Sequence, residues 1–425
     1  MVDRGAAARR APRREPHPPP AILLIPPRVR SALAYAAFFA AAGAWVPYLT
    51  LYYRELGFHL GEIGGLLALA SAVGLISAPA WGSLSDRRRG SPFVLVAAVG
   101  TSLVGTAVLA FGPGLAGSSG FVVPVGAALL GCGIAGTLPI IDARALETAG
   151  AARSGYGPLR AWGSVGYVAS ALATGALVEA TSPKSLLIVQ AAFFVATAAI
   201  GLTLRPPAAA ATRRYGSPLR DAGRLFGPRG LGVFVLGSFL AWLGMQLILS
   251  FTPLRFDELH AGATIIGLGG AIAAGIEVPL MLSFPRLAAR FGSNRLLIAG
   301  AFFLMARSVV AALATSPELL LAASVFAGFG YALFLVAGVV YVSTHVPPEL
   351  AATAQGIFQG VGSSLAQVTA AAGGGAIAAV AGIQGLFALA AGLGVGAMLI
   401  VAFAVSSSGP ARYARSTTPP SETST

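Results

Sequence analysis

The sequence predicts an all-α membrane protein with twelve transmembrane helices arranged as two six-helix pseudo-repeats. Of its 425 residues, 56% are hydrophobic and only 10% are charged, whereas a soluble protein carries about a quarter charged residues. Apolar runs of about 20 residues, enough to cross about 30 Å of hydrocarbon, recur through the chain. These runs are too long for strands of alternating polarity. Because a backbone in lipid must satisfy its own hydrogen bonds, they are predicted to be helices.

The apolar runs place the helices in order along the chain, and the longest polar interruption divides them six and six. The 55 glycines fit this architecture, because small residues let membrane helices approach one another closely. The longest predicted helices are expected to overrun the membrane or to include loop residues. The twelve helices are predicted at 31–54, 60–80, 93–112, 121–145, 160–180, 185–204, 231–254, 263–284, 295–315, 318–345, 350–381 and 384–406.

The polar segments define the domain organisation. Residues 1–30 are basic and proline-rich, contain no cleavable hydrophobic segment, and are expected to form a disordered cytoplasmic tail. Residues 31–204 are predicted to form an N-terminal six-helix bundle, 205–230 a cytoplasmic linker, and 231–406 a C-terminal six-helix bundle. Residues 407–425 are expected to form a second disordered tail.

The distribution of basic residues predicts the orientation in the membrane. The net charge is +13, from 27 arginines and one lysine against 15 acidic residues. On the predicted topology, 24 basic residues fall on one side, and only Arg54, Lys184 and Arg255 fall on the other. Positive residues mark the cytoplasmic side, so we expect a multi-pass protein of the cell membrane with both termini in the cytoplasm. The predicted topology thus explains the excess of basic residues, and no nucleic-acid partner is expected.

The sequence contains little that an enzyme would use. Cys132 is the single cysteine, and the four histidines lack the spacing of metal ligands. There is no nucleophile elbow and no phosphate-binding loop. We therefore expect no catalytic residues, no cofactor and no bound metal, and the sequence gives no indication of oligomeric state.

Two features support an internal repeat. The pattern Glu-Leu, six residues, Ile-Gly at 55–64 recurs at 258–267, an offset of 203, and the same offset places Arg87 on Arg290. Parallel repeats of six helices are a recognised architecture of secondary transporters.

The loop after the second predicted helix reads WGSLSDRRRGS, residues 81–91. With twelve helices in two repeats, this GxLxDR pattern resembles the loop signature of the major facilitator superfamily. The resemblance implies a latch between conformations. Two residues separate Arg87 from Gly90, where the family usually has one, and a plain basic cytoplasmic loop is the alternative. The latch residues implied are Gly82, Asp86, Arg87, Arg89 and Gly90.

Four ionisable residues fall within predicted helices, where such groups are costly and usually functional. Asp142 lies late in the fourth helix, Arg160 opens the fifth, Glu277 is central in the eighth and Arg307 in the ninth. They could form two ion pairs, one in each half. Alternatively, the first two lie at the cytoplasmic surface, where Arg144 is also expected, and the other two form a purely structural pair.

The surroundings of these residues sharpen the resemblance. The stretches PIIDA and YGPLRAWGSVGYVASA resemble the oligosaccharide:proton symporter branch, closely its phenylpropionate permeases and more loosely its lactose permeases, over roughly residues 30–405. The resemblance implies substrate binding by Asp142, Arg160, Tyr167 and Arg307. It implies proton coupling by Glu277, with Asp142 as second choice.

Two further residues complete the expected site. Gln246 is a candidate lining residue, although amides between membrane helices often bond only to each other. Lactose permeases carry a histidine and a glutamate in the tenth helix, and here Tyr331 is the only polar residue of the corresponding stretch GFGYALFLVAG. This departure makes Glu277 the preferred proton carrier.

The resulting functional hypothesis is a secondary active transporter that works by alternating access. We expect proton-coupled symport of a small organic solute, either an organic or aromatic acid, a sugar or a nucleoside. Proton-driven efflux of drugs or metabolites is the alternative, and a non-transporting membrane sensor is a third possibility. The expected partners are the small-molecule substrate, protons and the lipid bilayer.

Overall fold

The structure is a computed structural model that describes residues 25–88, 90–115, 119–149, 156–204, 231–346 and 350–407. All regular secondary structure within these ranges is helical. The segment predicted as a linker and most of both predicted tails lie outside the described residues.

The first half of the described chain, residues 27–204, contains seven α-helices and one 3₁₀ turn. The first two helices together correspond to the first predicted span, and a turn at Val46–Tyr48 separates them. The helices are α1 Pro27–Trp45, α2 Leu49–Glu55, α3 Leu60–Arg87, α4 Pro92–Leu115, α5 Ser119–Ala149, α6 Tyr156–Ala180 and α7 Leu186–Gly201, with the 3₁₀ turn at Pro183–Ser185.

The second half, residues 231–407, contains six α-helices and one π-helical turn. The helices are α8 Leu231–Glu258, α9 Ala263–Phe291, α10 Ser293–Leu313, α11 Pro317–His345, α12 Ala351–Gln359 and α13 Ala366–Ser407, with the π-helical turn at Gly360–Leu365 between the last two.

The helix count agrees with the sequence prediction. Within the described ranges, eleven helical segments are long and apolar enough to cross a membrane. The last of them is the 42-residue α13, which is broken at Gly382, where φ is +72°. The break falls between the predicted eleventh and twelfth helices. The prediction of an all-α protein with twelve membrane helices is therefore confirmed.

Two helices, α3 and α9, extend further at their C-terminal ends than the sequence predicts. Helices α3 and α9 continue to Arg87 and Phe291, seven residues beyond the predicted ends at 80 and 284. The prediction followed hydrophobicity, but a helix that leaves lipid continues until a residue breaks it. Gly292, with φ of +83°, ends α9 in the manner of a glycine cap. The first helix begins at Pro27, since proline is tolerated in a first turn.

Close helix contacts position the middle of the first half. Helix α1 packs along α6 and α7, and α4 packs along α5. A Cβ atom added to Gly43 would overlap the carbonyl group of Tyr167, and one added to Gly166 would overlap that of Ala36. These two glycines let α1 and α6 touch backbone to backbone, which fixes the face of α6 that points away from α1.

The two halves meet along three pairs of helices: α3 with α13, α6 with α9, and α2 with α8. We call the end of the molecule that contains Arg54, Lys184 and Arg255 the arginine-poor end. The opposite end is the arginine-rich end, and its described members include Arg87, Arg144, Arg286 and Arg290.

The arginine-poor end is closed by contacts between the halves. Arg54 forms ion pairs with Asp257 at 3.0 Å and with Glu258 at 3.9 Å. The backbone N–H of Thr264 donates to Glu179 at 2.9 Å. Among the described residues, these are the hydrogen bonds and ion pairs that join the two halves, and they all lie at this end.

Glycine packing reinforces the closure of the arginine-poor end. Gly64 of α3 and Gly375 of α13 lie against each other, so that a Cβ on either would come within 2.7 Å of the Cα of its partner. Real Cβ contacts are not that short, so only glycine fits at this crossing.

A buried arginine organises the arginine-rich end of the first half. Arg144 was expected at the surface, but its side chain is only 1% exposed. It donates to the carbonyl oxygens of Gly201 at 3.0 Å and of Gly90 and Ser91 at 3.1 Å. Arg30 donates to the nearby carbonyl of Thr203. The surface expectation is wrong because this face of α5 turns toward the loop after α3 and toward the end of α7.

We expect Arg144→Met to lower stability strongly. The substitution removes three hydrogen bonds. The carbonyl oxygens of Ser91 and Gly201 also accept from the backbone N–H groups of Val94 and Leu204, so that of Gly90 is the one left without a donor, and an unsatisfied buried polar group costs about 1–3 kcal/mol. Thermal unfolding of the detergent-solubilised variant should show a melting temperature several degrees below that of the wild type. Arg286→Met is the matched control, because Arg286 is exposed at the same end. An equal melting temperature for both variants would contradict the assigned role.

Candidate functional site

A cavity of about 290 Å³ lies between the two halves of the chain. Helices α1 and α6 line it from the first half, and α8, α9, α10 and α11 from the second. Its volume is at the lower end of the range usual for small-molecule sites, which is about 300–1,000 Å³. The polar residues that line it are Arg160, Ser164, Tyr167, Thr252, Glu277, Arg307, Ser324 and Tyr331.

The turn between α1 and α2 forms part of the cavity wall. Val46 and Pro47 of this turn both line the cavity. Irregular backbone at membrane depth is tolerated where it borders a cavity, and interrupted helices are typical of solute sites in secondary transporters. The break is therefore placed where a bound solute could meet exposed backbone groups.

Arg160 reaches the cavity across two aromatic rings. Its guanidinium carbon lies 4.1 Å from the ring centroid of Phe39 and 5.6 Å from that of Tyr35. Such cation–π contacts stabilise a cation that has little water around it. They also hold the planar guanidinium in one orientation, which leaves its N–H groups available to a ligand.

Helix α9 presents one face to the cavity. Gly270, Ala273, Ala274 and Glu277 all line it, and this i, i+3, i+4, i+7 spacing is the face of a single α-helix. Gly270 packs against the ring of Tyr167, since a Cβ added there would lie 3.4 Å from that ring, at van der Waals contact. Tyr167 and Glu277 are thus brought to the same chamber.

The expected ion pair between Glu277 and Arg307 does not form. No ion pair within 4 Å involves either residue among those described, and Arg160 lines the same cavity as both. Arg307 is 7% exposed and lines the cavity. It makes no hydrogen bond, ion pair or ring contact with any described residue.

The expected ion pair between Asp142 and Arg160 is also absent. Asp142 accepts hydrogen bonds from the hydroxyl groups of Tyr35 and, at 3.0 Å, of Tyr156. Tyr35 stands between the two charged groups, with its hydroxyl on the carboxylate and its ring under the guanidinium. Asp142 is not among the residues that line the cavity, and Gln246 is not among them either.

Several lining residues were not anticipated from the sequence. Ser164 lies four residues after Arg160, so helical spacing alone puts both on one face of α6. Phe39, Thr252 and Ser324 also line the cavity, but nothing in their local sequence sets them apart from neighbouring apolar residues. Within the described ranges, no three His, Cys, Asp or Glu side chains gather in a way that could hold a metal ion.

The proposed latch residues lie at the arginine-rich end of α3 and in the turn that follows it. Gly82, Asp86 and Arg87 are exposed, and neither charged side chain bonds to a described residue. Gly90 is buried with φ of +66°, and its carbonyl oxygen accepts from Arg144. Arg89 lies outside the described residues.

Comparison with known families agrees with this architecture. The sequence profile described as "MFS_1 like family" matches residues 29–389. Among curated relatives, a maltose permease of Geobacillus stearothermophilus is 31% identical over 344 residues, which cover 78% of this chain and 83% of that protein. A putative nucleoside transporter of Escherichia coli strain K12, YegT, is 25% identical over 350 residues, covering 76% and 79% of the two chains.

Solved structures give the same result for the fold. The crystal structure of the nucleoside transporter NupG, in a D323A mutant, superposes with a TM-score of 0.77 at 17% sequence identity. The match covers 89% of this chain and 99% of that one, and the two-repeat fold prediction is confirmed. Both the family profile and the maltose permease extend over most of the chain. This chain belongs to the MFS_1 like family, and it is a membrane transporter of the major facilitator type.

Proposed function

We propose that this protein is a proton-coupled symporter that imports a small hydroxylated organic solute, a sugar or a nucleoside, by alternating access. One observation carries the proposal. A single cavity between the halves gathers a carboxylate, two guanidinium groups, several hydroxyls and aromatic rings at membrane depth. Ionisable groups are retained there when they meet a solute or a proton pathway.

The cavity chemistry suits a hydroxylated ring. The rings of Phe39 and Tyr167 offer apolar faces on which a sugar or a base can pack. Arg160, with its guanidinium oriented by stacking, donates to hydroxyl oxygens. Ser164 and Tyr331 can both donate and accept. The solutes in the names of two relatives, a maltose permease and a putative nucleoside transporter, belong to the same class.

Glu277 is our proposed proton carrier. It is the acidic residue that lines the cavity among those described. Protonation removes its attraction for Arg160, so the proton changes how firmly the facing helices α6 and α9 are held together across the cavity. A group that both binds the proton and faces the solute links the two fluxes.

Two features indicate which side of the membrane the cavity faces: the closure of the arginine-poor end and the distribution of arginines between the two ends. If the arginine-rich end is cytoplasmic, closure at Arg54–Asp257 and Gly64–Gly375 makes this the inward-facing state. In that state Asp86 and Arg87 have no partner among the described residues. We propose that they engage the second half when the arginine-rich end closes, which is the latch role expected from the loop motif.

Transport into proteoliposomes tests the proposal. Radiolabelled maltose, uridine and glucuronate are offered to purified protein with the outside acid and the lumen neutral. At least one solute should accumulate above its external concentration, and a protonophore should abolish the accumulation. Accumulation only when the lumen is acid would instead indicate proton antiport, as in efflux. Binding without accumulation would indicate a sensor, and failure of all three solutes would overturn the substrate class.

A further inference from the structure

The charges that line the cavity do not balance within the described residues. Arg160 and Arg307 contribute two positive charges, and Glu277 contributes one negative charge. One carboxylate can neutralise only one of the two guanidinium groups, and Arg307 makes no ion pair within 4 Å with any described residue, so the cavity keeps an uncompensated positive charge. When Glu277 takes up a proton, the imbalance becomes larger by one charge.

Arg307 is buried to an extent that makes this imbalance expensive. Its side chain is 93% buried on α10. A buried charge is ordinarily paired or hydrogen-bonded, because removing it from water without a partner is unfavourable. Arginine presents five N–H donors that match the oxygens of a carboxylate or phosphate. None of these donors is bonded to a described residue, and the side chain borders the cavity.

Neighbouring polar groups do not supply the missing partner. Ser308, the next residue on α10, bonds back to the carbonyl of Leu304 at 3.1 Å. The lining hydroxyls of Ser324 and Tyr331 make no hydrogen bond with Arg307. The site therefore presents an unneutralised guanidinium to whatever occupies the cavity, beside hydroxyl groups and aromatic rings that suit a sugar ring.

We propose that the transported solute carries an anionic group, a carboxylate or a phosphate, and that Arg307 binds it. The solute is then an acidic sugar or a phosphorylated sugar or nucleoside, and not a neutral one. This inference rests on the proposed function, because it assigns the charge of the solute that the same cavity transports.

The charge of the solute determines how its uptake responds to the membrane potential. Entry of one proton with one carboxylate monoanion moves no net charge. Entry of one proton with a neutral sugar moves one positive charge inward. A phosphate ester carries about −1.5 to −2 charges near neutral pH, so its entry with one proton moves net negative charge inward. The response to membrane potential thus separates the three kinds of solute.

The experiment uses the full chain in proteoliposomes with a fixed pH gradient. Potassium and valinomycin set the membrane potential to zero or to a negative interior. The probes are glucuronate, glucose 1-phosphate, glucose and maltose. We expect glucuronate or glucose 1-phosphate to accumulate and the neutral sugars not to. A negative interior should leave glucuronate uptake unchanged and should slow uptake of the phosphate ester, which identifies the anionic group.

A substitution adds an independent readout. Arg307→Gln should weaken binding of the acidic solute by at least about tenfold, as expected for the loss of one charge-assisted hydrogen bond. Arg307→Lys should restore part of that loss. Arg286→Gln removes an exposed arginine outside the cavity and should bind as the wild type does. Melting temperatures of all variants show whether they are folded.

Three results would overturn the inference. If maltose or glucose accumulates, with uptake accelerated by a negative interior, and neither acid is transported, the solute is neutral and the proposed function alone survives. If Arg307→Gln weakens neutral and acidic probes equally, the guanidinium does not recognise an anion. If no probe accumulates under any gradient, the proposed function fails together with the inference. The potential measurement needs no variant, so it decides even if Arg307→Gln does not fold.

Discussion

Replacing Glu277 by glutamine is expected to abolish accumulation of solute driven by a pH gradient. Glutamine keeps the shape of the side chain and its hydrogen-bonding capacity but cannot release a proton. The solute concentration inside proteoliposomes should therefore rise only to the external value. Exchange of labelled for unlabelled solute should continue, because it returns the carrier without a net proton movement. The measurements are accumulation under an acid exterior and counterflow at equal pH.

Glu147→Gln is the matched control for this prediction. Glu147 is exposed near the end of α5, so its neutralisation should change neither accumulation nor exchange. If Glu277→Gln accumulates solute as the wild type does, Glu277 is not the proton carrier. Asp142, held between Tyr35 and Tyr156, is the acid to test next.

The second large effect is expected at the crossing of α3 and α13. Gly64→Leu places a side chain where the Cα of Gly375 now lies, so the arginine-poor end cannot close. Transport requires both ends to close in turn, and net uptake should fall to background. Solute binding from the side that stays open should persist, because the cavity residues are not changed. Uptake and equilibrium binding together measure the effect.

The neighbouring Gly65 offers a control, because a side chain added there points away from α13. An added Cβ on Gly65 meets nothing within 4 Å, so Gly65→Leu introduces the same side chain on the same helix without blocking closure. Its uptake should remain close to that of the wild type. Equal uptake by Gly64→Leu and Gly65→Leu would mean that this crossing does not open and close during transport.

Much of the fold follows from the sequence because lipid imposes one dominant constraint. Apolar run length located all twelve helices, including the division of α13 at Gly382. Hydrophobicity could not locate the ends of α3 and α9, since arginine, leucine and alanine continue a helix beyond the membrane. It also missed the burial of Arg144, because the carbonyl groups that this residue binds come from distant segments, around Gly90 and Gly201.

The sequence indicated several of the residues that line the cavity, but it did not indicate which charged residues contact each other. Arg160, Glu277 and Arg307 line one cavity, as charges at membrane depth suggested, and so does Tyr167, which the family resemblance implied. Asp142 and Gln246 are not among its lining residues. The pairing failed where a third residue intervened. Tyr35 separates Asp142 from Arg160, and it is one of many aromatic residues in the sequence, with nothing local to mark it. Pairing depends on the relative rotation of helices, which a single sequence does not specify.

The ion pairs that close the arginine-poor end have an energetic consequence for the working cycle. The side chains of Arg54 and Asp257 are 36% and 52% exposed, and ion pairs in contact with water contribute only about 0–1 kcal/mol. Such a clasp lowers the energy of one conformer slightly without trapping it. Dissolved ions weaken it further, since they screen charges over about 8 Å at physiological ionic strength. The ion pairs themselves therefore contribute little to the free-energy difference between the two conformers, and we expect that contribution to shrink as the salinity of the surrounding medium rises.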